Sequence, residues 1–238
     1  MRKITNVIAI VLLMSLLTGC LYPSEQKSEN QIAFEDQVNA VQNAVDRFRE
    51  EEGGLLPIKT QEADVDIYQK YMVDFSKLKM YMAEPPGSAY EVGGTLQYVI
   101  INPETDPTVK VFDLRISQAI QDYYLKLRIY MDSNQYLPFK EQLSTYVFLL
   151  DHEKLGYEEA PLVKSPYTGN DLHIVVDQDQ NIRIDYTPDL NELLKDKKNA
   201  VKKGDDIRTI LAKDSLYVPA YSLPYTVDEN NQPVFMKK

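Results

Sequence analysis

The sequence predicts an α+β fold with two tandem units, each a helix followed by an antiparallel β-hairpin, and a C-terminal helix with edge strands. Three observations carry this prediction. Apolar residues recur at three- and four-residue steps from residue 34 to 48 and stop at a glycine pair, which indicates an amphipathic helix. Residues 96–113 and 172–185 alternate apolar and polar residues around turn-forming residues, which indicates hairpins. Finally, short sequence blocks occur twice in the same order.

The repeated blocks lie at spacings that drift between 81 and 73 residues. They pair 40–43 with 119–122, 56–59 with 137–140, 73–78 with 150–155, 88–90 with 165–167, 96–101 with 172–176, and 109–113 with 182–185. Such drift is ordinary loop-length variation, since closure entropy grows slowly with loop length. A lone hairpin is marginally stable, so we expect each helix to cover the apolar face of its hairpin.

This repeat sets the predicted domain boundaries. The first α+β repeat covers residues 34–114 and the second covers 115–189, each with a helix, a loop, a short helix, a turn and a hairpin. Residues 190–238 form a C-terminal appendix, with helices at 190–203 and 205–211 and extended segments after residue 217. Prolines in those segments favour edge strands.

The N-terminus predicts a lipoprotein signal peptide at residues 1–19. Two basic residues precede an apolar run of ten residues, 8–17, which is shorter than the roughly 20 residues needed to span a membrane. The run leads into Leu17-Thr18-Gly19-Cys20, which resembles the bacterial lipobox. The resemblance implies a diacylglyceryl group on the Cys20 thiol and an N-acyl chain after cleavage.

Cys20 is the only cysteine in the chain, and the alternative to lipidation is a buried or incidental thiol. Two or three acyl chains make a stable anchor, because each buried methylene contributes about 0.8 kcal/mol. Residues 20–33 are polar and without periodicity, so we expect a flexible tether there. The predicted location is the cell membrane, lipid-anchored on its extracytoplasmic face.

The charge balance excludes some partners. The chain has 26 basic and 36 acidic residues, a formal net charge of −10. Without residues 1–19, which contain Arg2 and Lys3 and no acidic residue, the charge is −12. Nucleic acid and anionic lipid headgroups repel such a body. We therefore expect no nucleic-acid partner, and membrane attachment only through the lipid on Cys20.

The sequence offers no convincing catalytic or metal site. The two histidines, His152 and His173, come without a recognisable nucleophile motif or phosphate-binding loop. No cofactor or metal is predicted, because the folded part lacks cysteine and has few histidines. Asp177 to Asn181 resembles the start of a calcium loop but lacks the glycine and glutamate that such a loop requires, so a polar hairpin turn is the favoured interpretation.

Two further groups of residues are candidates for specific roles. Asp74 and Asp151 occupy equivalent repeat positions, each three residues before a lysine, which favours helix caps and local ion pairs over a catalytic pair. Tyr217, Tyr221 and Tyr225 are interleaved with prolines. They form a possible binding platform for a glycan or peptide, although aromatic residues at this spacing are more often buried.

Two resemblances add to this interpretation. The order of helix, Leu-Pro, turn and hairpin looks like the globular heads of type II secretion pseudopilins, without their long apolar N-terminal helix. The stretch from residue 17 to about 114 resembles the YphF-type lipoproteins of Bacillus. This second resemblance rests on residues 54–60, 68–71 and 107–110. It implies a location and a fold but no mechanism, because that family has no established activity.

These observations favour a non-catalytic lipoprotein that interacts with an envelope protein or the cell wall. The alternative is a cell-envelope enzyme or an accessory subunit of one, which would require acidic residues to converge in a deep cleft. A third possibility is a solute-binding component, but such proteins usually have larger domains than these units of about 75 residues.

Overall fold

The computed structural model describes residues 24–59, 61, 62, 64–195 and 201–236, with side chains from residue 33 onward. The chain divides into two compact units, residues 1–37 and 38–238. The predicted signal peptide, the lipidation site Cys20 and the appendix residues 196–200 lie outside the described residues. Within the described residues, no helix has the length and apolarity needed to cross a membrane.

The described residues form an α+β fold with small antiparallel sheets, as predicted. The helices are α1 (Ser24–Glu51), α2 (Ile67–Lys70), α3 (Leu114–Asn134), α4 (Thr187–Leu193) and α5 (Arg208–Lys213). The strands are β1 (Leu96–Ile101), β2 (Thr108–Asp113), β3 (Phe139–Ser144), β4 (Val147–Leu150), β5 (Leu162–Lys164), β6 (Asp171–Asp177), β7 (Ile182–Ile184), β8 (Tyr225–Val227) and β9 (Pro233–Phe235).

Helix α1 begins earlier than the sequence indicated. It starts at Ser24, inside the segment 20–33 for which a flexible tether is predicted. The reason is intrinsic propensity, because glutamate, glutamine and lysine favour helix even without an apolar face. The helix ends at Glu51, and Gly53 and Gly54 adopt the left-handed φ values of 66° and 93° that terminate helices.

Helix α1 lies against the first hairpin, β1–β2. Val38, Val41 and Val45 are buried. Gln42 accepts a hydrogen bond from the Val109 backbone N–H at 2.7 Å and donates one to the Pro107 carbonyl at 3.0 Å. The apolar stripe of the helix therefore meets the start of β2, and one glutamine fixes its position there.

Helix α3 packs on the five-stranded sheet, in which β6 pairs with β4 and β5 and also with β7. The helix begins at Leu114, five residues before the repeated block at 119, because the Asp113 side chain caps it by accepting from the Arg115 backbone N–H. Its buried residues join those of β4, β6 and β7 in one hydrophobic core.

The repeated blocks 73–78 and 150–155, in which the short helix of each repeat is predicted, form turns instead. Asp74 accepts hydrogen bonds from the Ser76 backbone N–H at 3.1 Å and from its hydroxyl at 2.6 Å. Asp151 accepts from the Glu153 backbone N–H at 3.2 Å. These local bonds offer the backbone an alternative to a helix. The expected pair of Asp151 with Lys154 is present at 3.5 Å.

The β1–β2 and β6–β7 hairpins have the same register. The partners are Tyr98 with Val111, Val99 with Lys110 and Ile100 with Val109 in the first, and Ile174 with Ile184, Val175 with Arg183 and Val176 with Ile182 in the second. Asp74 N–H also donates to the Pro57 carbonyl as Asp151 N–H donates to that of Pro138, both at 2.7 Å. These equivalences agree with the repeated blocks. The duplication and its pseudopilin-like character stay predictions.

The C-terminal segment 216–222 runs along the outer edges of both hairpins. Val111 N–H donates to the Leu216 carbonyl and Val218 N–H donates to the Val111 carbonyl, both at 2.9 Å. Ile184 N–H donates to the Tyr221 carbonyl at 2.9 Å. Both contacts are parallel bridges. The segment thereby covers the two edges, which would otherwise expose unpaired backbone groups.

The rest of the predicted appendix is only partly helical. The helix expected at 190–203 is represented by α4, which ends at Leu193, and the helix expected at 205–211 is α5, shifted to Arg208–Lys213. The expected extended segments include the hairpin β8–β9, in which Pro233 occupies the start of a strand, a position that proline tolerates.

A buried ion cluster links α5 to the start of α2. The Arg208 guanidinium donates to the Asp66 carboxylate at 2.9 Å and to that of Asp206 at 2.7 Å, and its side chain is only 5% exposed. It lies 5.1 Å above the centre of the Tyr68 ring. The cluster therefore joins segments that lie 142 positions apart in sequence.

We expect Arg208→Met to lower the free energy of unfolding by about 3–5 kcal/mol, because Asp66 and Asp206 lose the cation that compensates them. The control is Arg115→Met, which removes an exposed partner of Asp113 and should cost less than about 1 kcal/mol. Urea denaturation of the three proteins measures both losses. Equal losses in the two variants would contradict the prediction that the Arg208 cluster stabilises the fold more than an exposed ion pair does.

Candidate functional site

The outward face of α3 is the first candidate binding surface. Ile116, Ile120, Tyr123 and Leu127 point into the core, so the opposite face of the helix meets solvent. That face contains Leu125 and Ile129, which are 58% and 60% exposed, and Tyr124 lies on the flank between this face and the core and is 49% exposed. We call these three residues the α3 apolar surface. Polar residues normally occupy such positions on a helix of a globular protein.

Exposed aromatic residues continue in the chain directly after α3. Tyr136 is 55% exposed and its ring meets that of Tyr130 edge to face, and Phe139 is 53% exposed and meets Phe148 in the same way. Phe139 begins β3, which is the terminal strand in the sheet order. The register of β3 is interrupted by irregularities, which discourage unwanted edge pairing.

The second candidate is a cleft of about 740 Å³ between α2, the β1–β2 turn and α5. Its lining combines apolar side chains such as Ile67 and Ile101 with the polar side chains of Thr108, Lys110 and Thr209. We call it the α2–α5 cleft. Its volume lies in the range of pockets that bind small molecules.

The carboxylates do not converge in the α2–α5 cleft. Glu104 is the single acidic residue in its described lining, whereas the enzyme alternative requires a group of acidic residues. Within the described residues, no group of three or more histidine, cysteine, aspartate or glutamate side chains could hold a metal ion.

Both histidines line the same small cavity of about 30 Å³. Their proximity has no local sequence signal, since the two histidines lie 21 positions apart and in different elements. His152 lies in the turn after β4, and His173 lies in β6. A cavity of this size has room for about one water molecule. The described residues of its lining include no aspartate, glutamate, serine or cysteine, the residue types that work with histidine at nucleophilic sites.

The turn from Asp177 to Asn181 connects β6 and β7, as the favoured interpretation predicts. Asp177 Oδ1 accepts hydrogen bonds at 2.9 Å from the backbone N–H groups of both Asp179 and Asn181. The Arg183 guanidinium lies 3.5 Å from its other carboxylate oxygen. The aspartate thus stabilises the turn with the oxygens that a cation would need.

The three tyrosines of the possible platform do not share one exposed surface. Tyr225 is fully buried in the core, where its hydroxyl donates to the Asp185 carboxylate at 2.9 Å and accepts from the Tyr186 backbone N–H at 3.0 Å. Tyr221 is half-buried and its hydroxyl donates to Ser117 Oγ at 2.9 Å. Tyr217 is half-buried next to β2. Tyr225 therefore offers no surface to a ligand.

Asp189 is a fully buried carboxylate in α4. Ser165 Oγ donates to one of its oxygens at 2.7 Å and Thr168 Oγ1 donates to the other. Burial raises the pKa of Asp189, and the two hydroxyl groups oppose that rise. Both oxygens already have donors from the turn after β5, which indicates that Asp189 fixes this turn on α4.

Fold and surfaces together define an α+β protein whose described residues include the α2–α5 cleft and the α3 apolar surface. Residues 34–113 match the family model of the YphF family N-terminal domain. This match confirms the resemblance to YphF-type proteins, and its end lies one residue from the predicted boundary at 114. Searches of curated proteins and of solved structures gave no match.

The raised pKa of Asp189 predicts a pH-dependent stability. The folded state favours its protonated form relative to the unfolded chain, so its contribution is fully present below the unfolded pKa of about 4. That contribution is lost as the pH rises through the folded pKa. Compared with Asp189→Asn, the wild type should therefore lose free energy of unfolding as the pH rises. Parallel stability curves from urea titrations of both proteins between about pH 4 and 8 would contradict this.

Proposed function

We propose that the chain is a lipid-anchored, extracytoplasmic protein whose folded unit binds an envelope protein and has no catalytic role. The observation that carries the proposal is the α3 apolar surface. Two aliphatic side chains one helical turn apart are each more than half exposed. Apolar side chains exposed side by side on one surface are typical of interaction sites.

The anchor half of the proposal rests on the N-terminal sequence. A basic start, a short apolar run and Leu17-Thr18-Gly19-Cys20 are what the lipoprotein export pathway requires. A chain with a net charge of −10 gains nothing from an anionic bilayer surface. Covalent lipid on Cys20 then supplies the attachment.

The partner is a different protein with an apolar groove and a basic rim. The α3 apolar surface presents side chains at positions i and i+4, the spacing with which a helix fills a groove. Charge disfavours self-association, because two copies of this acidic chain repel each other. Tyr124 adds the large, rigid contact area that is typical of interface centres.

The anchor is tested in cells of the native type with Cys20→Ala. We expect the wild type to sediment with membranes and to incorporate an alkyne-labelled fatty acid, and the variant to be released or to stay as the longer precursor. Ser24→Ala, four positions later, is the control and should behave as wild type. A processed, membrane-bound Cys20→Ala protein would disprove the anchor.

The partner surface is tested by replacing Tyr124 with the photocrosslinking residue p-benzoylphenylalanine. Illumination of living cells should join the chain to one envelope protein. Binding of that purified protein should weaken at least about tenfold in Leu125→Ser/Ile129→Ser, which corresponds to 1.4 kcal/mol or more. Gln118→Ser/Gln121→Ser changes exposed polar residues of the same helix and should bind as wild type.

The serine variants separate binding from folding. Leu125 and Ile129 are exposed, so their replacement should change the free energy of unfolding by no more than about 0.5 kcal/mol. Crosslinks to a second copy of the chain, crosslinks to lipid, or an equal loss of binding in the glutamine control would each contradict the proposal.

A further inference from the structure

Lys110 is a buried side chain on the wall of the α2–α5 cleft. It is 9% exposed and lies on β2 between Thr108 and Phe112. Side chains at alternate strand positions share a face. Phe112 packs with Tyr68 and Ala212 on this side of the hairpin, and Thr108, Tyr68 and Ala212 also line the cleft. The Lys110 side chain therefore projects to the cleft side of the hairpin.

This ammonium group has an incomplete set of partners among the described residues. Its Nζ donates to the Ser215 carbonyl at 2.5 Å, although an ammonium group has three donors. No carboxylate of the described residues lies within ion-pair distance of it, and Asp214 contributes only a longer-range attraction. Burial lowers the pKa of Lys110, which is the expected response of a cation that lacks a counter-ion.

The second hairpin has a cation at the equivalent register position, and that cation has a carboxylate partner. Lys110 faces Val99 across β1–β2, and Arg183 faces Val175 across β6–β7. Arg183 has Asp177 at 3.5 Å. Asp177 is the last residue of β6, whereas the last residue of β1 is Ile101. The first hairpin therefore lacks the carboxylate that serves the second.

We propose that the α2–α5 cleft binds a small organic carboxylate with an apolar body, whose carboxylate group pairs with Lys110. A buried charge is costly unless it is paired, and a ligand carboxylate would supply the missing counter-ion. This inference rests on the cleft alone and is independent of the proposed protein partner.

The remaining lining fits such a ligand. Ile67, Tyr68 and Ile101 supply apolar surface, and the Thr108 and Thr209 side chains supply hydroxyl groups. The lining also contains Glu104 and Lys213, whose opposite charges offset each other and leave the single positive charge of Lys110. A phosphate cradle would require converging backbone N–H groups from a glycine-rich loop, and glycine is absent from the described lining.

The test uses the purified chain without the predicted signal peptide, residues 1–19. The probes are phenylacetate, benzoate and decanoate. Ligand-detected NMR and calorimetry should show millimolar or tighter binding of at least one carboxylate. The matched amine phenethylamine should not bind. Lys110→Met, which keeps the length and removes the charge, should weaken carboxylate binding at least about tenfold. Lys164→Met removes an exposed lysine of β5 and should bind as wild type.

Stability distinguishes a binding role of Lys110 from a structural one. If Lys110 serves a ligand, Lys110→Met removes an uncompensated buried charge and should unfold at the same or a higher urea concentration than wild type. The proposal is overturned if the variant unfolds at a clearly lower urea concentration. It is also overturned if no carboxylate binds at millimolar concentration, or if binding is equal in Lys110→Met. Absence of photocrosslinking at Tyr124 would contradict the proposed protein partner and would leave the carboxylate proposal unaffected, because Tyr124 belongs to the α3 apolar surface and not to the cleft.

Discussion

The structure of residues 38–238 depends on the backbone pairing between segment 216–222 and the outer edges of two hairpins. Val111 in β2 and Ile184 in β7 hold equivalent register positions, and both bond this segment through their backbone N–H groups. A two-stranded hairpin such as β1–β2 is marginally stable by itself, whereas β6–β7 is part of the five-stranded sheet. The pairing closes both edges, and the Arg208 cluster adds a side-chain connection between α5 and the start of α2. Residues near the C-terminus thus complete a fold that begins with α1.

The same pairing places both candidate surfaces. Segment 216–222 comes directly after α5 and Ser215. Helix α5 forms one wall of the cleft, and the Ser215 carbonyl accepts a hydrogen bond from the Lys110 ammonium group. One wall of the α2–α5 cleft therefore belongs to the C-terminal part of the chain. Helix α3 instead packs its opposite face on the five-stranded sheet, which leaves Leu125 and Ile129 outward. One arrangement accounts for a pocket that suits a small anion and a helix face that suits a protein.

Local patterns predicted what local chemistry determines. Alternating residues located β1, β2, β6 and β7, and the Gly53-Gly54 pair located the end of α1. The hairpin β3–β4 was missed because β3 is mostly exposed on both faces and its register is irregular. The turns at Asp74 and Asp151 were assigned as helices because their composition favours helix, whereas side-chain bonds to the backbone decide otherwise.

The burial and the partners of the site residues are determined by contacts between residues far apart in the sequence. Local sequence patterns therefore reveal only some of these residues. Tyr225 is buried in the core, and the partner of its hydroxyl, Asp185, lies 40 positions away in the sequence. Lys110 reads as an ordinary polar residue of an alternating strand, and its missing counter-ion becomes evident only in the packed structure. The α3 apolar surface had a signal, since Leu125 and Ile129 lie opposite Ile120 and Leu127 on a helical wheel. A projection of residues 114–134 would have located it.

Hydroxyl-radical footprinting of the wild-type chain, in intact cell envelopes and after purification, tests most directly whether α3 meets a partner. The exposed Tyr124, Leu125 and Ile129 should react readily in the purified protein and much less in envelopes, with unchanged reactivity at the exposed Met80. That result would place a partner on this helix face. Equal oxidation of the three side chains in both samples would contradict the account.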